Sequence, residues 1–117
     1  MKSFYGGMFI PKEYLKEAGI EYPIKLEYYR IMEDSIICDS EKKLYGIEII
    51  KTEYKSNKTN KETKGVKYVT NNIKEIDKML QLLKENYVTP VTLKEVVEDL
   101  VKSVNNNLPS KVSYGIV

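Results

Sequence analysis

Between residues 72 and 104 an apolar side chain returns every three or four positions, the pattern halts at a proline, and it then resumes. Ile73, Ile76, Leu80, Leu83 and Tyr87 form the first set, with Met79 and Leu82 beside it. That spacing puts them on one stripe of an α-helix, with Lys74, Asp77, Lys78, Gln81, Lys84 and Glu85 mostly opposite. Asn72 and Glu75 have the form of a capping box at its start. Asn86 suits a left-handed helix end. Pro90 lacks an N–H and pushes Thr89 out of helical geometry. Thr92 and Glu95 read as a second capping box, followed by the stripe Leu93, Val96, Val97, Leu100, Val101 and Val104. Valines on that stripe lower helix propensity, so packing has to hold the second helix in place. Asn105, Asn106 and Asn107 end it. Two one-sided helices need a surface to cover, and the preceding chain has to supply it.

Two segments read as that surface. In residues 24–32, Ile24, Leu26, Tyr28 and Met32 share one face of a strand, and Lys25, Glu27, Tyr29 and Glu33 share the other. Arg30 interrupts the apolar face and is expected to snorkel at an edge. In residues 44–54, Tyr45, Ile47 and Ile49 face one way and Leu44, Ile50, Thr52 and Tyr54 the other. Apolar groups on both faces make this strand central. Gly46 within it signals a bulge or a close neighbour. Residues 36–38 suggest a short strand and 66–69 a third, with 55–64 as a mobile polar loop between. At the N-terminus, residues 1–5 read as loose and Gly6-Gly7 as a flexible bend. Pro11 opens a short helix running to Ala18, and Gly19 stops it. The expected fold is α+β: an antiparallel sheet of three to four strands, two C-terminal helices packed on one face, and a short N-terminal helix. Residues 1–107 form one domain in this reading, and 108–117 a C-terminal tail.

The chemistry-bearing residues are few. The 117-residue chain has no His and one Cys, Cys38, so a zinc cluster, a His-based triad and an internal disulfide are all excluded. Cys38 beside Ile36 and Ile37 reads as a buried structural thiol. Glu95, Glu98 and Asp99 fall on the solvent face of the second helix, and Glu33-Asp34 are turn acids pointing apart. No glycine-rich phosphate loop occurs, because Gly6-Gly7 has no following Lys-Ser/Thr. The chain is 42% hydrophobic and 31% charged, with a net charge of +2, which makes neither nucleic acid nor an anionic membrane an expected partner. No run reaches membrane-spanning length and no signal peptide is legible, so the expectation is a cytoplasmic protein.

Three resemblances add to this. KLEYYRI, KLYGIEIIKTEY, VKYVT, IDKMLQLLKEN and VTPVTLKEVVEDLV, in that order over residues 25–101, resemble a family of short proteins from clostridia and related Gram-positive bacteria that has no established function. That resemblance implies a fold and a source but no activity. FIPKEYLKEAGI, continued over residues 9–38, resembles the strand–Pro–helix–Gly segment of AbrB-type DNA-binding proteins and implies an alternative role in transcriptional regulation. VTLKEVVEDLVKS resembles the first helix of a repressor-type helix-turn-helix, without a second helix after it. The leading expectation is a non-catalytic domain that binds another protein or itself, with no cofactor, metal or small-molecule ligand. Val88, Pro90 and Val91, apolar in an otherwise polar turn, are its candidate contact residues.

Overall fold

The alternation in residues 24–32 becomes the inner face of a four-stranded antiparallel sheet. The computed structural model describes residues 1–37 and 40–105; Cys38 and the expected tail at 108–117 lie outside them. The strands are β1 (Lys2–Ile10), β2 (Ile24–Ile37), β3 (Ser40–Lys55) and β4 (Lys58–Thr70), ordered β1-β2-β3-β4 across the sheet. Two helices follow, α1 (Ile73–Glu85) and α2 (Leu93–Asn105). Ile24, Leu26 and Tyr28 of β2 and Ile47 and Ile49 of β3 are fully buried. They meet Ile76, Leu80 and Leu83 of α1 and Leu93, Val96, Val97 and Leu100 of α2 in one hydrophobic cluster. Each such side chain stabilises the fold by about 1.5–3 kcal/mol at most, before conformational entropy is subtracted. Arg30, on the same face, reaches the margin of the layer and pairs with Asp77 of α1 at 2.9 Å.

The helix ends follow the sequence in part. Asn72 Oδ1 accepts from the backbone N–H of Lys74 at 2.9 Å, which makes Asn72 the N-cap. Glu75 does not close the box directly. Its carboxylate accepts from the Thr70 hydroxyl at 2.7 Å, and that hydroxyl accepts from the Asn72 N–H at 3.1 Å. At the other end the left-handed residue is Tyr87 (φ 53), not Asn86 (φ −101). The Val88 N–H donates to Leu83 O and the Tyr87 N–H to Lys84 O, the pattern of a Schellman motif. Its hydrophobic contact is supplied by Val88 and Leu83, both buried. Asn86 instead donates its side-chain amide to Leu82 O. Thr92 is not a helix cap: it lies inside a 3-10 turn, Pro90–Thr92, that runs straight into α2.

Three expectations are corrected. Residues 2–5 are not loose and Gly6-Gly7 is not a bend; they lie in β1, paired with β2 from Lys2↔Ile31 to Ile10↔Ile24. A bulge at Tyr5 shifts the phase, so Phe4 and Gly7 face outward together. The short N-terminal helix is instead two 3-10 turns, Lys12–Tyr14 and Lys16–Ala18. They break at Leu15, whose buried side chain anchors the segment and whose backbone leaves helical geometry (φ −110, ψ 0). Gly19 (φ 76) does end this segment. The polar tract 55–64 is a tight hairpin, with Lys55 opposite Lys58 across Ser56-Asn57.

Gly46 has the close neighbour its position suggested. The β3–β4 register slips between Tyr45↔Thr70 and Ile47↔Val66, so Lys67, Tyr68 and Val69 bulge opposite Gly46. A Cβ at residue 46 would overlap the Val66 carbonyl oxygen and stand 3.0 Å from Lys67 Cα.

Candidate functional site

Both helices lie on one side of the sheet, and among the described residues no element covers the other, open side. The register sends Phe4, Gly7 and Phe9 of β1 to that open face, with Lys25, Glu27, Tyr29 and Ile31 of β2. Glu48, Ile50, Thr52 and Tyr54 of β3 continue it, and Thr59, Lys61, Thr63 and Gly65 of β4 complete it. Phe4 stands edge-on to Tyr29, with ring centroids 5.5 Å apart and planes at 70°. Phe9 is tilted against Tyr54 at 6.1 Å. These contacts leave Phe4 60% and Phe9 58% exposed. A ridge of two phenylalanines thus runs along β1. Towards β4 the floor is low at Thr63, Gly65 and the buried Thr52, and rises at the exposed Lys61, which stands across the register from Thr52, Lys25 and Phe9.

The charges on this face are mixed and largely matched to each other. Lys2 Nζ lies 3.0 Å from Glu48 and 4.6 Å from the centre of the Tyr29 ring, an ion pair and a cation–π contact at once. Lys25 pairs with Glu27 at 3.6 Å. Glu27 also accepts from the Tyr29 hydroxyl at 2.9 Å, and that bond, with some desolvation, holds the Tyr29 pKa above its ordinary value. Such a surface combines shape and apolar area with charges that are mostly paired across it.

A second concavity, of about 650 Å³, runs between the end of β1 and α1, past Met8, Ile10, Tyr14, Lys84 and Tyr87. Two of its polar groups, Gln81 and Glu85, bond to each other. Gln81 accepts from the Tyr5 hydroxyl at 2.8 Å and donates to Glu85 at 2.9 Å.

The residues singled out by sequence are dispersed. Val88 is 1% exposed and Pro90 is buried, so both are core residues; of the three candidate contacts only Val91, 64% exposed, reaches the surface. Val88 is fixed from both sides, because its carbonyl accepts from the buried Tyr28 hydroxyl at 2.8 Å. Burial pushes the Tyr28 pKa well up. Glu33 and Asp34 are consecutive in β2, so they point to opposite faces, and Glu33 pairs with Lys67 at 3.2 Å. Among the described residues no three His, Cys, Asp or Glu side chains gather as a metal site requires. No described helix is long and apolar enough to cross a membrane. Phe4 and Phe9, which dominate the open face, were not among the candidates. The bulge at Tyr5 hides the alternation that would have placed them on a strand.

No curated protein and no solved structure matches the chain. A family model does, over residues 8–103, from the end of β1 through the sheet and most of α2. Its description is that of a family of unknown function, and nothing in it carries the AbrB-type or clostridial resemblance further. By this match over most of its length, the chain belongs to the family of unknown function DUF6514.

Proposed function

We propose that this chain is a non-catalytic, cytoplasmic protein-interaction domain that works through the uncovered face of its sheet. The observation that carries the reading is the pair Phe4 and Phe9, more than half exposed on a face from which both helices are absent. Burying what the two rings still expose is worth about 2–4 kcal/mol in transferred area, a substantial contribution to a specific contact. The DNA-binding alternative has less behind it, because the one arginine, Arg30, is engaged by Asp77 on the helical side.

The test is differential capture. Tagged wild-type chain, a Phe4→Ser/Phe9→Ser double variant and a Val91→Ser control are cross-linked in cell extract. Proteins held by wild type and control should be lost from the double variant. An identical captured set for all three removes the reading.

A further inference from the structure

We infer that the occupant of the open face is a second copy of this chain, stacked sheet on sheet. The inference rests on the interaction reading above and names its partner. The first argument is size. Nine residues of β1 at about 3.3 Å each, across four strands about 4.8 Å apart, give a patch of roughly 30 by 19 Å. That is about 570 Å² per copy and about 1,100 Å² for a pair, just above the roughly 1,000 Å² that a specific interface needs.

The second argument is charge. The face holds Lys2, Lys25 and Lys61 against Glu27 and Glu48, and two of the lysines are already paired within the chain. It offers no strong field to a polyanion or a polycation, whereas a like copy meets mixed charge with mixed charge.

Shape then selects the symmetry. A two-fold axis parallel to the strands turns the copies face to face and lays the Phe4–Phe9 ridge of each over β4 of the other, with Phe4 above the low Gly65 and Phe9 beside Lys61, where ring and ammonium attract. An axis across the strands would set ridge on ridge. The product is a four-layer helix–sheet–sheet–helix dimer with the sheets about 10 Å apart. Pairing through the β4 edge is disfavoured, because Lys58, Lys61, Lys64 and Lys67 line that strand.

Sedimentation equilibrium across a wide concentration series tests this, with circular dichroism to verify folding. Wild type should approach twice its 13.6 kDa. Phe4→Ser/Phe9→Ser should weaken self-association by about 100-fold or more, because each of the two copies loses both rings of its ridge. Thr63→Lys, exposed on the floor and far from the ridge of its own copy, should weaken it about tenfold, because a long side chain would fill the low floor and add a like charge beside Lys61. Val91→Ser should leave the dissociation constant unchanged. A dimer indifferent to both ridge and floor variants overturns the proposal, because another surface then makes it. Wild type that stays at 13.6 kDa throughout also overturns it. In that case the differential capture separates the two readings. Loss of captured proteins in the double variant retains an interaction domain with a different partner, and unchanged capture removes both.

Discussion

Replacing Gly46 by alanine adds one methyl group where β3 and β4 are closest. That methyl would overlap the Val66 carbonyl oxygen and lie 3.0 Å from Lys67 Cα and 3.3 Å from the Val66 carbonyl carbon. Carbon–carbon contacts settle at about 3.5–4.0 Å, so these atoms must retreat by roughly half an ångström. They are backbone atoms at the root of a three-residue bulge, held by the ladder on one side and by the Thr70–Asn72 cap of α1 on the other. Overpacking costs about 1–3 kcal/mol, and an overlap with rigid backbone puts this case near 3. With a urea slope of about 1.5 kcal/mol per molar, the unfolding midpoint should fall by about 2 M. Gly19→Ala is the comparison. Gly19 has a left-handed backbone (φ 76), which Gly46 lacks, and nothing within 4 Å of its Cβ position, so it shows the conformational penalty alone, about 1 kcal/mol, without any overlap. If the Gly46→Ala midpoint moves by less than about 0.3 M, the close approach is not what requires glycine there and the steric reasoning fails.

Tyr87→Gly should be more stable than Tyr87→Ala by about 1 kcal/mol in urea unfolding, the reverse of the usual order, because residue 87 sits at φ 53. Asn72→Ala should cost about 1 kcal/mol by removing the cap of α1, and equal stability of the two proteins would contradict that role. Tyr28→Phe should cost about 1 kcal/mol near neutral pH, where the hydroxyl bonds to Val88 O. Burial raises the Tyr28 pKa, so its neutral form is favoured in the folded state. That stability is fully present below the unfolded tyrosine value of about 10 and is lost as pH climbs above it. Midpoints measured from pH 8 upward should fall for wild type, and the fall should be shallower in Tyr28→Phe; parallel curves would exclude Tyr28 as the source.

The elements legible in the sequence were those whose apolar spacing is uninterrupted. β2, the middle of β3 and both helices follow their stripes, and Gly46 announced its neighbour because nothing else justifies glycine in a central strand. β1 was lost to one inserted residue: the bulge at Tyr5 breaks the period of two, and Gly6-Gly7 then looks like a bend. Most of β4 was lost because an edge strand with little burial has no apolar face to show; its signal is cross-strand pairing of Thr, Lys and Glu with β3. The left-handed position went to Tyr87 against residue preference, since the buried Val88–Leu83 contact and the Tyr28 bond to Val88 fix the chain path. For the same reason Val88 and Pro90 belong inside: apolar residues in a polar turn marked where the turn folds back onto the core. The open face was half legible, in the outward Tyr29, Ile50 and Tyr54, and its ridge depended on the strand that the bulge concealed.

The strand order β1-β2-β3-β4 also bears on how the molecule is made. Every partner in the sheet is the next strand along the polypeptide, so no pairing has to wait for a distant one. The two-residue Ser56-Asn57 connection can close first, and the ladder can grow outward from it with little further loss of chain freedom. Such a meander belongs among sheets that assemble quickly for their size, with few half-built states in which the phenylalanine ridge is left bare beside unpaired backbone.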